Sequence, residues 1–135
     1  LERVLDSSPY IFNHNIETVR NLFPHVRPGG SYELSLKVLE YAGNCLPNIK
    51  SGLMIGLGET IDQILETLHD LGRAGVSILT IGQYLKPKEG LSEIRKYYTI
   101  QEFDELKEEA LEMGFSCVFS GPLVRSSYHA EETMT

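Results

Sequence analysis

The sequence predicts an α/β fold in which a parallel sheet is covered by helices. The short segments near residues 11, 54 and 79 are apolar on both sides rather than alternating, as in strands buried on both faces. Helix-forming stretches separate them in turn, the order of βα units. The length of 135 residues suits about one domain of ordinary size. Three βα units are too few to close a barrel, which takes roughly six or eight. Half of a βα barrel and a small open α/β sheet both fit this pattern.

Each element has a local cause. Leu1 to Leu5 reads as a helical tail stopped by Asp6-Ser7-Ser8-Pro9. Tyr10-Ile11-Phe12 begins a short buried strand over 10–14 that turns polar at Asn13-His14-Asn15. A short helix is expected from Glu17 to Phe23, and Pro28-Gly29-Gly30 marks a loop. Ser31 caps a longer helix whose Leu34, Leu36, Val38, Leu39 and Ala42 recur near helical spacing, closed by Pro47 and Asn48. A strand over 51–56 follows and ends in glycines. Thr60 then caps a helix with an Ile61, Ile64, Leu65, Leu68, Leu71 stripe, and Gly72 and Gly75 stop it. A strand over 77–81 leads through Gly82-Gln83-Tyr84 to the loop 86–90 and an irregular stretch from Leu91 to Tyr98. Thr99 caps the last helix, with Gln101, Glu102, Asp104 and Glu105 matched to the helix dipole. Gly114 ends it, before a final strand over 115–119.

Composition narrows the function. The formal net charge is −7, which opposes a nucleic-acid surface because phosphate binding needs clustered Lys and Arg. No apolar run approaches the roughly 20 residues of a membrane helix, and Leu1-Glu2-Arg3 does not resemble a secretory signal. Two cysteines, Cys45 and Cys117, are too few for a disulfide framework or an all-cysteine metal site. The start at Leu1, within what reads as a helix end, suggests a piece of something larger.

Gly52-Leu53-Met54-Ile55-Gly56-Leu57-Gly58-Glu59-Thr60 is the most informative run. Glycines at a strand end let a backbone approach a ligand, and the helix opening at Thr60 offers free amides. The spacing is not that of a dinucleotide fingerprint, no phosphate-loop lysine follows, and a plain tight βα turn remains open. Asn13-His14-Asn15, with Glu17 nearby, sits at a strand's C-terminal end, the ligand-binding rim of βα barrels, where capping by Asn is the alternative. His14 has no second ligand at metal spacing. Gln83 and Tyr84 follow another strand and face the same rim or form a surface turn. The run from Gly121 to Ala130 gathers Arg125, Ser126, Ser127, Tyr128 and His129 at what is otherwise a frayed tail.

Taken together, the runs Phe12 to Val19, Val26-Arg27-Pro28-Gly29, Lys50 to Thr60, Leu79 to Leu85 and Ser120 to Ala130, in this order, closely resemble the C-terminal half of the lipoyl synthase family. The likeness covers nearly the whole chain, and Ser-Gly-Pro-Leu-Val-Arg-Ser-Ser-Tyr is its most specific part. The family is of the radical S-adenosylmethionine (SAM) class, so the resemblance implies that residues 1–135 form the C-terminal half of a partial (βα)6 barrel, parallel strands inside and helices outside. It implies sulfur insertion at C6 and C8 of an octanoyl chain on a lipoyl carrier. Two 4Fe-4S clusters serve that reaction: one cleaves SAM to a 5′-deoxyadenosyl radical and the other donates sulfur. The implied SAM contacts are Asn13, His14, Asn15, Gly52, Met54, Gly56, Gly58, Glu59, Gln83 and Tyr84. Ser127 or Ser126 would be the serine ligand of the auxiliary cluster, with Arg125 close by.

The family's two cysteine triplets and its Gly-Gly-Glu run have no counterpart here, and Cys45 and Cys117 do not match them. The expectation is therefore that this chain alone holds neither cluster and has no catalytic residue or lipoyl synthase activity of its own. The implied partners are octanoylated carrier domains (E2 subunits or the glycine cleavage H protein) and an electron donor such as ferredoxin or flavodoxin, with no nucleic acid and no membrane. The implied location is the cytoplasm, with a mitochondrial or plastid origin left open. Another radical SAM sulfur inserter such as biotin synthase, and a non-catalytic half-barrel serving binding or assembly, are the alternative readings. The Ser-Ser-Tyr tail opposes biotin synthase.

Overall fold

The computed structural model describes residues 11–86 and 93–125. Four strands, β1 (Phe12–Asn13), β2 (Ile49–Ile55), β3 (Ile78–Gln83) and β4 (Cys117–Gly121), form one sheet in the order β1-β2-β3-β4. Every pairing is parallel. A doubly wound sheet reverses its strand order partway, whereas a barrel adds each new strand beside the last, so this order matches part of a βα barrel. The helices are α1 (Phe23–Val26), α2 (Tyr32–Cys45), α3 (Ile61–Arg73) and α4 (Ile100–Met113). No described helix is long and apolar enough to cross a membrane.

The caps expected from sequence explain the helix starts. Ser31 accepts the Leu34 amide, while Thr60 with Gln63 and Thr99 with Glu102 close reciprocal capping boxes. Gly114 ends α4 at φ +108°, a left-handed position where an L side chain would be strained.

Register sorts the strand residues by face. Ile49, Leu53, Ile55, Leu79 and Ile81 join the core beneath the helices with Leu39, Leu68, Leu71 and Phe103. The alternate rows Asn13-Lys50-Ile78-Cys117, Gly52-Thr80-Phe119 and Met54-Gly82-Gly121 lie on the opposite face. That second face carries Asn13, Gly52 and Met54 of the candidate ligand residues.

Strands β1 and β3 run Phe12–Asn13 and Ile78–Gln83 instead of the expected 10–14 and 77–81, and three further boundaries differ from the sequence expectation. The helix expected from Glu17 to Phe23 is replaced by a 3-10 turn at Arg20–Leu22 followed by α1. Glu17 is extracted from any helix by a parallel bridge to Leu53: its amide donates to Gly52 O at 3.0 Å, and Met54 N donates to its carbonyl at 3.0 Å. Pro24 then opens α1, where its missing N–H costs nothing. Strand β2 begins at Ile49, before the expected residue 51, and takes in Lys50, which is fully buried. Strand β4 begins at Cys117 rather than 115, because the amide of Phe115 turns back to Ala110 O in the helix-ending turn.

Arg20 anchors the 3-10 turn to α2 and α3. It pairs with Glu33, lies 3.4 Å from Asp70 and 3.9 Å from Glu66, and covers the Tyr32 ring at 4.6 Å. Tyr32 Oη donates to Asp70 at 2.8 Å.

Candidate functional site

A cavity of about 240 Å³ opens on the face of the sheet opposite the helix-packed core. Asn15, Glu17, Gly52, Met54, Thr80, Gly82, Val124 and Arg125 line it, with Leu53 contributing from the strand. Two glycines make the room. A Cβ at Gly52 would meet Thr80 Oγ1 at 2.1 Å, and one at Gly82 would meet the Val124 carbonyl at 2.3 Å. The chain beyond β4 thus folds back over Gly82, turned by a bond from Val124 N to Gly121 O of 3.2 Å. Arg125 Nη1 donates to Val124 O at 2.7 Å, which seats the guanidinium at the cavity wall.

Glu17, at φ +76°, lines the same cavity. Left-handed backbone is uncommon for Glu and is held here by the bridge to Leu53. Burial pushes the Glu17 carboxyl above its ordinary 4.5, and the charge of Arg27 partly opposes this. His14, on the same loop, is pushed below 6.5 by burial and then by Arg27. Its Nε2 is buried without a hydrogen-bond partner among the described residues. The Ser51 hydroxyl, on the core side of β2, accepts the Ile16 amide at 3.0 Å and fixes this loop.

These shifts predict a pH effect. The folded protein keeps the Glu17 proton more tightly than the unfolded chain, so this contribution to stability is complete below pH 4.5 and is lost as pH rises through the raised value. Glu17→Gln should therefore unfold at the same urea concentration as the parent at about pH 4 and at a higher one at about pH 7. Equal midpoints at both pH values would show that Glu17 is not desolvated.

The structure divides the sequence-derived site residues. Gly52, Met54 and Asn15 meet at the cavity, together with Arg125. Asn13 lies exposed one row below, beside Lys50. Gly56, Gly58 and Glu59 form the turn after β2, outside the cavity wall. Glu59 turns inward: Oε2 accepts the Gly56 amide at 2.9 Å and Oε1 the Leu57 amide at 3.0 Å. Those amides are thus engaged by the protein itself. Gln83 faces the core side of the sheet. Its Nε2 donates to Lys96 O at 2.9 Å and Tyr84 O at 3.0 Å, and its Oε1 accepts the Tyr98 amide at 3.0 Å. Tyr84 N donates to Ile55 O at 2.8 Å, continuing the strand ladder. Ser126 and Ser127 lie outside the described residues.

Glu17, Thr80, Gly82 and Lys50 stand on this face without having been singled out as ligand contacts. The signal for Thr80 and Gly82 is strand alternation, since register pairs them with Gly52 and Met54. Lys50 is fully buried there, and burial depresses its pKa, partly opposed by Cys117.

Among the described residues no group of three His, Cys, Asp or Glu side chains could hold a metal ion. Cys45 is exposed at the end of α2 and Cys117 lies in β4, so the described residues do not fit an iron–sulfur cluster. The cavity suits a small organic ligand with charges of both signs, because a carboxyl and a guanidinium line it together with two glycines.

No family model matches the chain. The chain is similar to curated lipoyl synthases. It is 55% identical over 134 residues to that of Rubrobacter xylanophilus, covering 98% of this chain and 42% of the relative. It is 52% identical over 133 residues to that of Photorhabdus laumondii, covering 97% and 41%. It is 55% identical over 134 residues to that of Halalkalibacterium halodurans, covering 98% and 44%. The chain thus spans about two fifths of the length of the curated relatives it matches.

Proposed function

Because this chain is homologous along nearly its whole length to the lipoyl synthases, we propose that it supplies the SAM-facing side of the cavity in an enzyme inserting sulfur at C6 and C8 of a protein-bound octanoyl chain. The observation that carries this reading is the cavity lined by Glu17, Arg125, Gly52 and Gly82. Bound SAM supplies the group that removes hydrogen from the unactivated carbon. It carries a sulfonium, an ammonium, a carboxylate and a ribose diol. Glu17 is suited to accept from the diol or pair with a cation, and Arg125 is suited to the carboxylate. Met54 offers a polarisable apolar surface, and the two glycines keep that surface within reach.

The clusters, the octanoylated carrier domain and a ferredoxin- or flavodoxin-type reductant complete the proposal for the whole enzyme. The described residues provide no donor set for a cluster.

The test is SAM binding by the complete protein that contains this chain, measured by equilibrium dialysis. Arg125→Gln and Glu17→Gln should each weaken binding roughly tenfold, the loss expected of one charge-assisted hydrogen bond. Parental affinity in both variants would refute the assignment of the cavity.

A further inference from the structure

The turn after β2 is held by a buried clamp that reaches across to α4. Tyr98 Oη donates to Glu59 Oε2 at 2.7 Å, on the same carboxylate that takes the Gly56 and Leu57 amides. Both residues are buried, at 6% and 8% exposure. From the other side, Arg95 N and Lys96 N donate to Gly56 O at 2.7 and 3.3 Å, and Gln83 holds Lys96 O and Tyr98 N. The Tyr98 ring packs edge-on against Phe103 of α4, with centroids 6.1 Å apart, so the phenol stands on the helix core.

This arrangement has a cost that needs a reason. A buried carboxylate is unfavourable unless every lone pair in use is matched, and here three donors converge on it. Plain turn closure would be served by the two amides alone. The third donor comes from a segment remote in sequence and ties the turn to residues 95–98. Tyr98 does not line the cavity. It acts on the end of β2, the strand that carries Gly52 and Met54 into the cavity.

We propose that Tyr98 is a positioning residue for the ligand: through Glu59 it sets the Gly56–Gly58 turn and the end of β2, so that affinity in the cavity depends on residues 95–98 being seated against that turn. The inference rests on the SAM reading given above.

Its test compares the complete protein with its Tyr98→Phe, Glu59→Gln and doubly substituted forms. Circular dichroism melting establishes that each is folded. Tyr98→Phe keeps the ring and removes one hydroxyl, and SAM affinity should fall roughly fivefold, less than the full worth of one hydrogen bond to a charged group because the hydroxyl acts on the ligand only through the turn. In turnover the loss should fall on KM for SAM rather than on kcat. Glu59→Gln should weaken binding as well, and adding Tyr98→Phe to it should cost nothing more, because the hydroxyl works through that carboxylate. Hydrogen exchange at the Gly56 and Leu57 amides should quicken in Tyr98→Phe without any ligand.

Parental SAM affinity in a folded Tyr98→Phe protein overturns the proposal, as does an undiminished Tyr98 effect in the Glu59→Gln background. If Tyr98→Phe fails to fold, Glu59→Gln carries the same expectation, and parental affinity there overturns it. If the unsubstituted protein binds no SAM, the ligand assignment falls instead, and unchanged exchange at Gly56 and Leu57 would still refute the clamp.

Discussion

Gly56→Ala is expected to destabilise the protein by about 3 kcal/mol, a large share of the ~5–15 kcal/mol that holds a domain together. Two costs combine. Gly56 sits at φ +111°, where a side chain is strained by roughly 1–2 kcal/mol. A Cβ there would also stand 2.3 Å from Gln83 Nε2 and 2.6 Å from the Lys96 carbonyl. The carbonyl is backbone, and Gln83 is fixed by three hydrogen bonds, so neither gives way cheaply. Overpacking of this kind costs about 1–3 kcal/mol. Gly58 separates the two causes. Its φ is also +111°, yet its Cβ would meet only the Arg95 side chain, at 3.5 Å. Gly58→Ala should therefore show the strain alone, about 1–2 kcal/mol. Urea unfolding of the two variants measures the difference, and equal losses would mean the clash is relieved without cost.

The helix ends were legible because their causes are local. Ser31, Thr60 and Thr99 satisfy amides within three residues of themselves, so spacing alone reveals them. The parallel sheet was legible from strands that are apolar on both faces. That same property hid the orientation of the strand ends. When neither face is polar, alternation cannot tell whether Gln83 looks into the core or toward the ligand, and register alone places it on the core side with Ile55. The start of β2 was hidden for the converse reason: a lysine is seldom buried, and only the tertiary environment brings Lys50 into the strand. The roles of Glu59 and Glu17 are set by partners 39 and 36 residues away, Tyr98 and Leu53, which no local pattern encodes. A resemblance between sequences supplied the ligand class, and the physics of the fold then sorted which residues line the cavity and which hold it in shape.

Gly82→Ala should behave differently from Gly56→Ala: a loss of ligand affinity with little loss of stability. The new Cβ would lie 2.3 Å from the Val124 carbonyl, 3.3 Å from Arg125 Nη1 and 3.4 Å from Met54 Sδ. All three belong to the cavity wall. The simplest relief is for the segment after β4 to lift from the sheet, because among the described residues its backbone tie is the bond from Val124 N to Gly121 O. The pairings of β3 with β2 and β4 need not change. The chain also gains roughly 0.4–1 kcal/mol from a less flexible unfolded state, which offsets part of the disturbance. Lifting that segment carries Arg125 out of the cavity wall, so SAM affinity should fall tenfold or more, the equivalent of about 1.4 kcal/mol or greater. Gly121→Ala is the control, since its Cβ would make only an ordinary contact with Val124 Cγ2, at 3.6 Å. Melting and equilibrium dialysis on both variants decide the matter. A Gly82→Ala protein that binds SAM like the parent would show that the segment over Gly82 does not form the ligand's wall; equal weakening by Gly121→Ala would show that the steric contact at Gly82 is not the cause.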